Sequence, residues 1–123
     1  AVLTHAGRGE EVIVEAESHV VYYEVGGVAA LPGRQIRVIP GERGALDPER
    51  VEEAIRPPNV HYPRTALVCL ENTHNRAGGA ILPQENVAAG ADVARRQEIP
   101  VHLDGARIFN AAVALGRPAA ELA

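Results

Sequence analysis

Four short apolar runs organise this chain: EVIVEA at Glu11–Ala16, QIRVIP at Gln35–Pro40, TALVCLE at Thr65–Glu71 and PVHLD at Pro100–Asp104. None is long enough to build a helical stripe, and their Val, Ile and Leu content without strict alternation is that of strands buried on both faces. Between and after them the spacing predicts helices over Tyr22–Leu31, Pro48–Arg56, Gln84–Gln97 and Ala106–Leu115. Asp47 before Pro48 supplies a cap followed by proline at the first helical position, and Gly33, Gly79 and Gly116 punctuate element ends. Strands alternating with helices imply βαβ units, hence an α/β fold with a mostly parallel sheet.

Composition narrows the setting. The 123 residues contain no internal repeat, low-complexity tract or linker, and Arg56-Pro57-Pro58-Asn59 reads as a rigid loop. The chain is one domain or part of one. Ala1-Val2-Leu3 begins without a cap and Glu121-Leu122-Ala123 stops inside a helix-like stretch, so both ends are expected to be cut. With net charge −4 and no basic cluster longer than Arg95-Arg96, the sequence gives no nucleic-acid footprint. No apolar stretch approaches the ~18–20 residues of a membrane span, and no secretory leader is visible. Cys69 is the single cysteine, so no disulfide can form within the chain, and its place in ALVCL predicts a buried thiol. A cytoplasmic setting is expected. All 12 basic residues are arginine, and there is no lysine.

Candidate chemistry collects where open α/β sheets place it, at the carboxyl ends of strands. Asp104 ends the fourth strand and precedes Gly105 and a helix, so its carboxylate either caps that helix or faces a ligand. Arg107, in the first turn of the same helix, can point back to that strand end, and its guanidinium fork matches a carboxylate or phenolic oxygen. His19 follows the first strand and either bonds loop backbone or handles a proton. His61, in NVHYPRT, precedes its strand, whereas His74, in ENTHN, follows one; Asn72 and Thr73 are expected to satisfy that turn. His102-x-Asp104 matches half of an iron facial triad with no following histidine, and Gly7-Arg8-Gly9 precedes a strand where a dinucleotide loop would follow one, so neither a metal nor a nucleotide site is expected.

Four segments carry a resemblance: GRGEEVIVEAESH, the ESHVVYYEVGG stretch with Ser18, His19, Glu24, Gly26 and Gly27, ENTHNRAGGAILP from Glu71 to Pro83, and HLDGARIFNAAVALG from His102 to Gly116. Over essentially the whole chain the sequence resembles the threonine aldolases. These are fold type I pyridoxal-phosphate (PLP) enzymes of the β-eliminating-lyase superfamily that cleave L-threonine, L-allo-threonine and other β-hydroxy amino acids to glycine and an aldehyde by retro-aldol chemistry. The resemblance implies that residues 1–123 are a partial PLP-binding large domain. It casts Asp104 as the partner of the cofactor's ring nitrogen, Arg107 as a contact to ring and substrate carboxylate, and His19 as a ring-stacking residue that can move the hydroxyl proton. His61 would act at the substrate's side-chain end, reaching it from a loop or a neighbouring subunit, with His74 competing for that role. A homotetramer, a small-molecule substrate and a cytoplasmic location go with the family. The family's Ser-Gly-Thr phosphate loop, expected before Ala1, and its Ser-Lys-Gly segment with the Schiff-base lysine, expected beyond Ala123, are missing, so this chain by itself is expected to be inactive. The alternatives are a PLP-dependent β-eliminating lyase using the same Asp104, and a non-catalytic α/β module that lost the lysine.

Overall fold

The computed structural model describes residues 2–31 and 33–123. Its frame is a four-stranded, all-parallel sheet of β1 (Glu11–Glu15), β2 (Gln35–Ile39), β3 (Thr65–Glu71) and β4 (Val101–Asp104), in the order β2-β1-β3-β4. The four strands lie within the apolar runs of the sequence, with Ala16, Pro40 and Pro100 just outside. Every residue of the two central strands is buried, as expected for strands covered on both faces. Alternation of side chains distributes them: Ile13, Val68 and Leu70 enter one core with Leu46, Val51, Val93 and Ala94, while Val12, Val14, Leu67 and Cys69 enter the other with Ala6.

The first core is closed by α4 (Pro48–Ala54) and α5 (Gln84–Arg96). Asp47 caps α4 as its sequence position predicts, its Oδ1 accepting the Glu49 N–H at 3.0 Å, with Pro48 at the first helical position. The second core lies under α1 (Val2–His5) and α2 (His19–Tyr22), which contribute Val2, Val20 and Val21. The last helix, α6 (Ile108–Leu115), starts two residues later than expected and ends at Gly116, which has φ 62°.

The continuous helix expected over Tyr22–Leu31 does not form. The segment breaks into α2, a 3-10 turn at Glu24–Gly26 and α3 (Gly27–Ala30). Glu24 and Val25 have φ of 61° and 53°, incompatible with a right-handed helix, and the adjacent Gly26-Gly27 pair weakens helix propensity further. Among the described residues no helix is long and apolar enough to cross a membrane.

The chain runs from β1 outward to β2, then crosses back over β1 to β3, so the strand order reverses between β1 and β3. In such sheets that reversal leaves a crevice beyond the carboxyl ends. β1 ends there in Glu15, β3 in Glu71 and β4 in Asp104.

Candidate active site

Two of these strand-end carboxylates are buried, and both are satisfied almost entirely by backbone N–H groups, the arrangement that makes a buried charge tolerable. Glu15 accepts from Glu17 N at 2.7 Å and Gly41 N at 3.2 Å. Glu71 accepts from His19 N through Oε2 at 2.7 Å and from Asn75 N through Oε1 at 2.8 Å. The Glu71–His19 bond spans 52 positions in sequence. It replaces the missing side-chain cap of α2, since Ser18 makes no cap hydrogen bond although it occupies the cap position.

His74 locks this end of the sheet. It is fully buried; its Nδ1 accepts the Ala77 N–H at 3.2 Å, which leaves Nε2 to donate to Glu15 Oε2 at 3.0 Å. Glu71 Oε2 lies 3.8 Å from the same nitrogen. Gly44 passes over the imidazole so closely, at φ 90°, that a Cβ there would sit 2.4 Å from the ring. With both nitrogens engaged inside the protein, His74 is part of the scaffold. Asn72 likewise serves its turn: its N–H donates to Asp104 O at 3.0 Å, and its Oδ1 accepts from Leu82 N at 3.4 Å.

Asp104 is half-buried and pairs in register with Glu71, one strand spacing away. Its Oδ1 accepts the Ala106 N–H at 3.1 Å, closing the turn into α6, while no hydrogen bond engages Oδ2 among the described residues. The cap and ligand readings of Asp104 are therefore compatible, since each uses a different oxygen. Arg107 occupies the cap position of α6 in the same turn, half-buried and without an ion pair among the described residues.

His19 opens α2 above the end of β1. Its side chain is 30% exposed, with Nε2 3.0 Å from Glu24 Oε1 and the ring centroid 4.6 Å from that of Tyr23. A second tie holds its loop to the β3–α5 loop: Arg76 pairs with Glu17 and lies over the Tyr22 ring at 3.8 Å. His19, Asp104 and Arg107 thus share the carboxyl-end side of the sheet, with Glu71 between the first two. His61 does not join them within the chain. It is exposed in the turn before β3, at the opposite, amino end of that strand, where its N–H is bonded by Asn59 Oδ1 at 2.9 Å.

Chemically, the unengaged Asp104 oxygen can accept from a protonated ring nitrogen, the Arg107 fork can take a carboxylate, and His19 can exchange a proton at Nδ1, its Nε2 being held by Glu24. Cys69, behind this surface, is poorly suited to act as a nucleophile: burial, reinforced by the Asp104 charge, pushes its thiol up to about 12. Sequence reasoning did not single out Glu15 or Glu71. The available signal is a glutamate following the apolar stretch of a strand at its carboxyl end, twice over.

The beta-eliminating lyase family model matches residues 1–123. Low-specificity L-threonine aldolase 1 of Arabidopsis thaliana is 40% identical over 126 residues, covering 99% of this chain and 35% of the relative. The low specificity L-threonine aldolase of Escherichia coli (strain K12) is 42% identical over 117 residues, covering 94% and 34%. The chain thus spans about a third of the length of these curated relatives. Among solved structures, Leishmania major threonine aldolase superposes with a TM-score of 0.77 at 22% identity over 88% of this chain and 31% of that one, a likeness of fold. The family match along the full chain, together with the parallel sheet and its strand-end carboxylates, establishes that the chain belongs to the beta-eliminating lyase family.

Proposed function

We propose that this chain is part of a PLP-dependent threonine aldolase that cleaves L-threonine or L-allo-threonine to glycine and acetaldehyde. The observation that carries the reading is Asp104: a half-buried carboxylate at a strand's carboxyl end, one oxygen spent on its turn and the other unengaged, one strand spacing from the residue that tethers His19. The residues present fit the ring end of PLP in kind, because a carboxylate, an imidazole and a guanidinium lie on the same carboxyl-end side of the sheet. When bound, PLP supplies a sink for the electron pair released from the Cα–Cβ bond.

In this reading Asp104 keeps the pyridine nitrogen protonated by favouring its charged form. Arg107 takes the substrate carboxylate, fixing the orientation of the bond to be broken. His19 accepts the hydroxyl proton at Nδ1, because the Glu24 carboxylate beside Nε2 holds the neutral ring's proton there and stabilises the ring once charged. His61 acts on the substrate's side-chain end from a neighbouring subunit of a homotetramer, which accommodates its position at the far end of β3. The anchoring lysine and the phosphate-binding residues belong to the rest of a longer cytoplasmic protein, of which these 123 residues are a partial, by themselves inactive, large domain.

The decisive experiment supplies L-threonine and L-allo-threonine to the complete protein and follows acetaldehyde with alcohol dehydrogenase. Aldehyde and glycine in equal amounts are expected, with none from the 123-residue chain alone. The family match makes β-elimination the second reading; ammonia and a keto acid from serine or cysteine, without acetaldehyde from threonine, would establish it instead. No turnover of either kind by the complete protein would leave the non-catalytic module.

A further inference from the structure

Resting on that reading, we propose that Glu71 is the positioning residue for His19. One carboxylate fastens two loops: Oε2 holds the first backbone N–H of α2, and Oε1 holds Asn75 in the loop after β3. The residue that bears this carboxylate is itself fixed in the sheet, its Cα in register with that of Asp104. His19 and Asp104, 85 positions apart in the chain, are thereby referred to a common point.

Although Val20 and Val21 pack on the second core and Arg76 lies over Tyr22, the first N–H of α2 has no other hydrogen-bond partner among the described residues. The helix has four residues, none of them buried, and no side-chain cap, so its own propensity contributes little. Glu71, in contrast, is 5% exposed and belongs to a fully buried strand, with the His74 imidazole behind it. A side chain of this length reaches His19 N; one methylene shorter, it withdraws by about 1.5 Å, more than a 2.7 Å hydrogen bond tolerates. Shortening the side chain therefore tests reach separately from charge.

The test compares wild type, Glu71→Gln and Glu71→Asp by diethylpyrocarbonate modification, with each histidine quantified by mass spectrometry. His19, 30% exposed and tethered, should react several times faster in both variants, while buried His74 stays protected and so reports an intact fold. In the complete enzyme both variants should lose about tenfold to a hundredfold in kcat with little change in KM, the scale of misplacing a reacting group by roughly 1 Å. Asp must not rescue the activity, since it keeps the charge but not the reach. Unchanged His19 modification, or full rescue by Asp, overturns the proposal. Exposure of His74 in both variants also overturns it, because Glu71 would then be holding the core together rather than placing His19. If the wild-type enzyme cleaves no β-hydroxy amino acid, the functional reading fails while the modification experiment still decides the role of Glu71.

Discussion

Replacing Gly44 with Ala tests the buried His74 arrangement directly. Gly44 has φ 90°, where a side chain carries a strain of ~1–2 kcal/mol. The added Cβ would also lie 2.4 Å from Cδ2 and Cγ of His74 and 2.7 Å from its Cβ, inside any acceptable contact. The ring can yield only by loosening its bond to Glu15 at 3.0 Å or by displacing the packed loop, at a cost on the order of 1–3 kcal/mol. The expected total is ~2–5 kcal/mol, a large fraction of the ~5–15 kcal/mol by which domains are stable. For 123 residues each kcal/mol moves the midpoint by ~4 °C, so Gly44→Ala should melt ~8–20 °C below wild type. Gly78→Ala is the control, because Gly78 has φ 73° but open space where the Cβ would go. It shares the backbone term alone and should lose ~4–8 °C. Thermal unfolding followed by circular dichroism at 222 nm measures both. A Gly44→Ala midpoint within ~2 °C of Gly78→Ala would show that no imidazole is fixed beneath Gly44, and the locked Glu15–His74 pair would have to be abandoned.

Four further outcomes are expected. Because the folded Cys69 thiol is pushed up to about 12 from its ordinary 9.0, its contribution to stability is complete below pH 9 and is lost as pH rises through about 12; in alkaline urea titrations Cys69→Ala should flatten the decline seen with the native chain. The same shift should make native Cys69 nearly inert to iodoacetamide at pH 8 and reactive only in urea, so rapid alkylation of the folded chain would contradict its burial. In the complete enzyme Asp104→Asn should keep the turn, since an amide oxygen still accepts the Ala106 N–H, yet lose ~10²–10⁴ in turnover; near-normal activity would reduce Asp104 to a cap. His19→Phe should mainly lower kcat and His61→Phe mainly raise KM in steady-state kinetics with threonine, and the reverse pattern would exchange their roles.

The fold was readable from the chain because burial on both faces leaves a local mark. TALVCLE, EVIVEA, QIRVIP and PVHLD are apolar runs whether or not their neighbours are known, and Asp47-Pro48 caps a helix through atoms two residues apart. Asp104, Arg107 and His19 could be named as candidates for a related reason: each closes or follows an apolar run, where strand ends meet solvent. The helix over Tyr22–Leu31 failed because its outcome was not local. The left-handed backbone at Glu24 and Val25 belongs to a segment held by Glu71 and Arg76 from distant parts of the sequence, and propensity contains no record of such ties. The same limit hid Glu15 and Glu71, since a glutamate at a strand end is ordinary until the sheet brings it to a histidine 59 positions away in one case and a bare helix N–H 52 positions away in the other. His74 shows the division most sharply. Its motif made it a candidate for chemistry, and only the packing of Gly44, Glu15 and Ala77 around the ring made it scaffold, because engagement of both nitrogens is a property of the assembled core.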